Sequence, residues 1–327
     1  MRKRPMIDFN KNLRYYILGS GILLLIGIIC NVFLGPVLDI NFKGGTRLSY
    51  QYTGELNPDD IERTLKEDTG LSVEVITSQD FTGEMKKIDI SLVEDEAATV
   101  EAQSKIEATL LEKFKDNEPK LLTTISVAPS VGLGFFMKSL YTVALAGLLV
   151  IIYIGLRFRK IGGFSAGVTA FIALVHDVLI AYFVCIVFRL PIGDNFVAVV
   201  LTILGYSLND TIVIYDRVRE NRTIFGNRKP IDTLVNDSIN QTLGRTIMTS
   251  VATFLAIATV VVVAEIMGMT SIRSFALPMC IGVVSGNYSS ICIAGPLWVK
   301  WQQRKEKRDA IKEEQKKQLK RSGGKKK

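Results

Sequence analysis

Histidine occurs once in 327 residues, as His176, and the 4 cysteines, Cys30, Cys185, Cys280 and Cys292, all lie inside apolar runs. That scarcity leaves no close set of imidazole and thiol ligands for a metal ion and no disulfide framework, so the cysteines read as small buried hydrophobes. A glycine-rich phosphate loop is also lacking, which sets aside ATP hydrolysis by this chain. No aromatic-interleaved basic stretch marks a nucleic-acid surface. Charge itself is scarce in six long stretches, 16–34, 140–156, 163–188, 195–215, 247–267 and 275–299. Each approaches or exceeds the roughly 20 residues that cross about 30 Å of hydrocarbon. A protein with six membrane-spanning helices is therefore expected, with Phe135, Phe136 and Met137 able to lengthen the short second span upstream.

The first run follows Arg2, Lys3, Arg4 and Lys11 as a signal peptide would. Its apolar stretch is too long for the usual targeting core and no small-residue cleavage pattern follows, so it reads as a retained anchor. Basic residues in the short loops set the orientation. Arg157, Arg159 and Lys160 follow the second span, Arg217, Arg219, Arg222, Arg228 and Lys229 follow the fourth, and Lys300 opens a basic tail. Six spans place all three sets with the amino end in the cytoplasm and leave 34–140 outside.

A net charge of +8 conceals a division. Residues 39–130 carry 19 acidic and 10 basic side chains, whereas 300–327 carry 13 basic and 4 acidic. Such a tail suits anionic lipid, ribosomal RNA or an acidic cytosolic partner, and equally a plain role in topology and solubility.

Within the charged insert the period changes. A strand is expected at 46–52, then a helix capped by Asn57 with Pro58 at its first position and closed by Gly70. Strands around Val73–Val75 and Ile88–Leu92 flank a turn-like segment at 81–83. A second helix at 97–114 shows Ile106, Leu110, Leu111 and Phe114 on one face, and 122–127 offers a last strand. The order strand, helix, strand, strand, helix, strand predicts an α+β ferredoxin-like domain. The expected division is 1–36 for the amino end and first helix, 37–133 for the external domain, 134–299 for five further helices, and 300–327 for the tail.

Asp210 is the most informative residue, because an ionisable group amid an otherwise apolar helix costs several kcal/mol unless paired, hydrated or neutral. Such groups mark ion or substrate paths, or else fix helix packing. Beside it lie Asn209 and, six residues on, Asp216, which reads as a helix-end group paired with Arg219 or Arg222. His176–Asp177 places imidazole and carboxylate together in the third span, suited to proton relay or to packing. Arg245 precedes Thr246, Thr249 and Ser250 at the start of the fifth span. It acts by position and field or anchors the helix end, since it does not give up its proton.

Four separated segments carry a resemblance across nearly the whole chain. These are Asp39-Ile40-Asn41-Phe42-Lys43-Gly44-Gly45-Thr46, His176-Asp177, the run from Gly205 through Asn221 (with Arg217 and Glu220), and Gln241 through Ser250. Together they resemble the SecF family, the smaller component of the SecD–SecF accessory complex of bacterial protein export, within the resistance-nodulation-division superfamily. The resemblance implies a non-enzymatic, multi-pass protein of the bacterial cytoplasmic membrane with both ends inside and no cofactor. A proton serves as coupling ion, carried by Asp210 with Arg245 in support. It implies SecD and the SecYEG translocon as partners, SecA, YajC and YidC as candidate neighbours, and translocating secreted or membrane proteins as cargo. The residues alone leave open a proton-coupled exporter of lipid or small solutes, a non-conducting scaffold, and another monovalent cation in place of the proton.

Overall fold

The computed structural model describes residues 6–71, 73–79, 86–92, 100–226 and 228–323. Six helices are long and apolar enough to cross a membrane. The first, α1 (Leu13–Leu34), stops at Gly35, which adopts φ +66°. The open carbonyls at its end are met from a distant loop, where Arg189 Nη1 donates to the oxygens of Leu34 (2.6 Å) and Gly35 (3.1 Å).

A single turn, α2 (Ile40–Lys43), then leads into the inserted domain: β1 (Gly45–Tyr52), α3 (Pro58–Thr69), β2 (Val73–Gln79), β3 (Lys86–Leu92), α4 (Val100–Lys113) and β4 (Lys120–Val127). Asn57 caps α3 by accepting from the Asp59 amide, and Gly70 closes it in the left-handed region, as the sequence leads one to expect. The strands form one antiparallel sheet ordered β2-β3-β1-β4, the ferredoxin-like arrangement. Register places Leu48 opposite Ile90 and Tyr50 opposite Ile88. These side chains form one core with Ile61 and Leu65 of α3 and Ile106 and Leu110 of α4. Full burial of each such aliphatic side chain contributes about 1.5–3 kcal/mol. The expected turn at 81–83 and the first residues of the second helix, 97–99, lie outside the described residues.

Five further apolar helices follow: α5 (Pro129–Arg157), α6 (Gly163–Val187), α7 (Asp194–Phe225), α8 (Ile231–Ile266) and α9 (Thr270–Ser289). The last runs through a π-helical turn (Ser290–Ala294) into α10 (Gly295–Gly323) without a break. Hydropathy marks the oily part of a helix rather than its ends, so several helices outrun the expected spans. The fifth begins at Ile231 rather than 247 because its polar first turns are used: Asn236 and Asn240 accept from the amides of Phe9 (2.9 Å) and Ile7 (3.1 Å). The sixth continues past 299 because the basic tail is itself helical to Gly323.

Small residues bring the inner helices together. A side chain at Gly163 would strike the Gly155 carbonyl, and one at Gly167 would lie 2.9 Å from the Ile151 oxygen, so α5 and α6 touch along their backbones. At the end remote from the inserted domain, Phe158, Tyr215 and Trp298 pack together. Their polar edges are satisfied: Tyr215 Oη lies 3.0 Å from Thr169 Oγ1, and Trp298 Nε1 donates to Ser165 Oγ at 3.0 Å.

The segment 39–46 is a clamp between domain and bundle. Asp39 accepts from the Asn41 amide (2.9 Å) and from Arg47 Nη2 (2.7 Å), while its own amide donates to the Ile192 carbonyl (3.0 Å). Asn41 reaches Asp194 at the start of α7 (3.1 Å), and the Phe42 ring meets Phe136 of α5 edge-on. Gly44 sits at φ +84°, where an added Cβ would lie 2.6 Å from Pro129 Cα; Gly45 sits at φ +128° against the Leu92 carbonyl. Gly44→Ala is therefore expected to cost about 1–3 kcal/mol and lower the thermal midpoint. Gly70→Ala shares a positive φ but faces open space, so it should cost less. Equal losses for the two variants in a thermal melt would show that close approach to Pro129 is not what requires Gly44.

Candidate intramembrane polar site

Two carboxylates are buried inside the helical bundle, and α9 separates their surroundings. Asp177 on α6 has no exposed surface. Its Oδ2 accepts from Ser207 of α7 (2.8 Å) and Ser289 of α9 (2.7 Å), and its Oδ1 accepts from Ser285 of α9 (2.7 Å). His176 Nδ1 lies 3.1 Å from the same Oδ1. Ser285 and Ser289 are four apart and share one face of α9, which is why both reach this group.

Asp210 on α7 is nearly as buried but lightly held, with a single side-chain contact among the described residues, Ser250 Oγ at 3.4 Å. Ser250 on α8 is itself fixed by two donors, Tyr206 Oη at 3.0 Å and Asn287 Nδ2 at 2.5 Å. Accepting from both leaves the one Ser250 proton directed at Asp210. Asn287, two residues from Ser285 and Ser289, lies on the other face of α9 and also donates to the Thr246 carbonyl (3.2 Å). Behind Asp210, Thr211 and Ser290 hydroxyls meet at 2.9 Å, and Ser290 donates to the Ser207 carbonyl (3.1 Å). The two acids thus differ in kind. Asp177 has its acceptor sites filled, whereas Asp210 keeps capacity for another partner.

The structure does not bring Arg245 to Asp210. Arg245 is exposed on α8, five residues before Ser250 and on a different face, with no side-chain hydrogen bond or ion pair among the described residues. Asn209 is exposed on α7 beside the buried Asp210. Thr249 is also exposed and donates within its own helix to the carbonyls of Arg245 (3.1 Å) and Thr246 (2.9 Å). Thr246 is buried, and its hydroxyl has no partner among the described residues. A cavity of about 510 Å³ opens beside Ser250 and Asn287, lined otherwise by apolar groups such as Leu243, Ile247 and Phe254.

At the end of α7 remote from the inserted domain, Asp216 pairs with Arg219 (2.7 Å) and with Arg157 of α5 (3.6 Å), both partly exposed. Arg217 donates to Gln241 (2.5 Å) and to Glu220 (2.6 Å), and Asn221 donates to Ser238 (2.8 Å) and Gln241 (2.9 Å). Asp216 thus ties α7 to α5, and Arg217 and Asn221 tie it to α8, rather than entering the polar core. Among the described residues no group of three or more His, Cys, Asp and Glu is placed to hold a metal ion. Sequence reasoning passed over Asn287, Ser285 and Ser289. Their signal was a cluster of polar side chains inside the last apolar run, less visible than a charge but spaced to serve opposite helix faces.

Residues 106–304 match the family model described as protein export membrane protein SecD/SecF, C-terminal. The chain is 36% identical over 284 residues to the protein translocase subunit SecF of Rhodothermus marinus, covering 85% of this chain and 87% of that one. It is 33% identical over 308 residues to SecF of Alicyclobacillus acidocaldarius, covering 93% and 96%. Against the protein translocase subunit SecDF of Bacillus subtilis it is 32% identical over 314 residues, covering 93% of this chain but only 39% of that longer one. The crystal structure of SecDF from Thermus thermophilus, a translocon-associated membrane protein, superposes with a TM-score of 0.75 at 28% identity, covering 91% of this chain and 39% of that one. A super-membrane-facing form of SecDF gives 0.62 at 27% identity, covering 95% and 40%. With a family model across most of its length and SecF relatives aligned nearly end to end, the chain belongs to the SecD/SecF family of protein export membrane proteins.

Proposed function

We propose that this Sec-pathway accessory subunit acts with SecD beside the SecYEG translocon, using proton-motive force to promote late stages of protein export. The observation that carries the reading is Asp210, a buried carboxylate with one weak side-chain contact in the middle of an apolar helix. A carboxyl group so placed exchanges contacts as it gains or loses a proton, and each proton crossing 100 mV supplies about 2.3 kcal/mol. The length comparison supports the partner. This chain corresponds to two fifths of SecDF, a length that leaves room in the longer chain for a SecD portion. SecA, YajC and YidC are candidate neighbours through the family resemblance alone, and a secreted or membrane protein in transit is the proposed cargo.

The exposed Arg245 fits this reading better than a direct pair within one subunit. The most apolar stretch of α8 is as little buried inside the protein as those of α1 and α5, so α8 turns a broad face outward, toward lipid or another chain. Arg245 then acts on Asp210 from the subunit boundary, through field and hydration rather than by a bond within this chain. The membrane unit at 134–299 houses the ion route, and the external unit at 37–133 passes movement outward through the Gly44 clamp.

Asp210→Asn (D210N) preserves size while removing the reversible charge. A complex of D210N with SecD should assemble normally and lose proton flux, read in proteoliposomes with a pH-sensitive dye, together with proton-stimulated export. Arg245→Ala should reduce the same flux, with Arg245→Lys retaining part of it. Normal flux from an assembled D210N complex would remove Asp210 as the carrier and favour a scaffold role.

Orientation follows from basic loops: Arg157, Arg159 and Lys160, the Arg217–Lys229 set, and the tail all fall on one side of six crossings. Both ends then face the cytoplasm. A cysteine introduced at Glu101 should react with an impermeant maleimide added outside intact cells, and one at Lys312 should react only after lysis. The opposite pattern would invert the topology.

A further inference from the structure

The basic tail combines a fixed direction with an uneven distribution of charge. α10 continues the last membrane-spanning helix through the π-helical turn and stays helical to Gly323. Near the bundle, Trp298 Nε1 donates to Ser165 Oγ at 3.0 Å, and Gln302 Nε2 donates to the same oxygen at 2.8 Å and to the Ile161 carbonyl at 3.4 Å. Ile161 lies in the short turn between α5 and α6. Residues 298–302 therefore stand level with the loop where those two spans leave the hydrocarbon. Beyond that level, 304–315 are all exposed.

Charge changes character along this shaft. Residues 303–314 carry 5 basic and 4 acidic side chains and nearly balance, whereas 315–327 carry 7 basic and no acidic ones. Four of the seven, Lys316, Lys317, Lys320 and Arg321, occupy helical positions on one side of α10. At 1.5 Å per residue, position 315 lies about 20 Å along the helix from Gln302, and Gly323 about 30 Å.

The ordinary duties of a basic tail do not account for charge held there. Topology is set by residues close to the spans, and Arg157, Arg159, Lys160 and the 217–229 set already supply them. Attraction to anionic lipid fades over a Debye length of about 8 Å, and a tip carried about 20 Å outward by an unbroken helix lies beyond it. Solubility is served by either sign, and better by acidic side chains.

The composition of the tip selects among polyanions. Protein interfaces are anchored by aromatic and apolar groups and are depleted in lysine. Residues 315–327 hold 6 lysines, 1 arginine, Leu319 as the one apolar side chain, and no aromatic ring. Lysine meets phosphate as a point charge, and without rings to stack on bases the phosphate backbone is the contact that remains. The long stand-off suits a polyanion too bulky to lie against the bilayer. We propose that the tip, 315–327, is a docking site for the surface RNA of a ribosome at the cytoplasmic face of the membrane. The proposal rests on the cytoplasmic placement of the tail and is independent of proton coupling through Asp210.

The full chain with SecD, held in discs of neutral phosphatidylcholine, is mixed with purified ribosomes and co-sedimented at about 50 to about 200 mM salt. Each phosphate neutralised contributes about −0.7 to −0.9 to the slope of log K against log salt, so a tip using most of its charges gives about −4 or steeper. Replacing Lys316, Lys317, Lys320 and Arg321 together by Gln should weaken binding about tenfold or more and flatten the slope by about 3. The same replacement at Arg304, Lys305, Lys307 and Arg308 removes equal charge from the shaft and should flatten it by about 1 or less. Equal losses from the two sets, or a tip variant that binds like the unaltered chain, overturn the assignment. In discs that contain phosphatidylglycerol and a quencher lipid, a fluorophore at Ser322→Cys should stay bright; quenching assigns the tip to the membrane surface instead. Labelling of a cysteine at Lys312 decides orientation separately, so a tail found outside removes the ribosome as partner without altering the salt slope measured in discs.

Discussion

Three helices meet because one carboxylate inside the bundle has to be satisfied. Asp177 belongs to α6, and its serine donors come from α7 and α9. In an apolar medium an unmet carboxylate costs several kcal/mol, so these hydroxyls hold positions that lipid-like side chains alone would leave loose. Small residues allow the required closeness: the Cβ that Gly286 lacks would lie 3.0 Å from Ser207 Cβ. The bundle is thus specified by polar contacts and backbone approach more than by apolar bulk, as expected where hydrocarbon surrounds the protein and burial among helices carries little hydrophobic gain.

In the proposed proton-coupled reading, the two acids divide the requirements of a coupling device. A group that changes state must not be fully satisfied, and the frame around it must be. Asp210 meets the first condition with one long contact to Ser250. Asp177, with its ring of hydroxyls, meets the second. At the clamp near Asp39, several bonds fix the external domain to α5 and α7 over a stretch of eight residues, so any motion of those helices would reach the sheet with little slack.

Much of this was legible before any coordinates. Asn57, Pro58 and Gly70 bracket a helix by local chemistry that needs no tertiary context, and the alternating residues at 73–75 and 88–92 identify their strands for the same reason. Six apolar runs became six helices, since backbone groups in hydrocarbon have almost no other way to bond. Helix ends were less legible: α8 begins well before its apolar stretch, where Asn236 and Asn240 receive the amino-terminal backbone, a pairing between residues more than two hundred positions apart. The candidate site was legible in its charges and not in its partners. Asp210, His176 and Asp177 stand out because charge is rare there, whereas Asn287 and the serines gain their roles only from the rotation of α9. Arg245 was singled out by the family resemblance of 241–250 and by the Thr and Ser residues that follow it, and helical phase turns it outward, away from Asp210.

The joined rod of α9 and α10 has a mechanical consequence. At 1.5 Å per residue the helix from Thr270 to Gly323 is about 80 Å long, far more than the hydrocarbon it crosses. It is gripped by Asp177 and Ser250 around 285–289 and again by Ser165, which accepts from Trp298 and Gln302. The arm that projects beyond Gln302 is about 30 Å long and rich in positive charge. A tilt of a few degrees in the gripped part would carry the far end sideways by more than it moves the polar core, so displacement inside the bundle would be magnified along that basic arm.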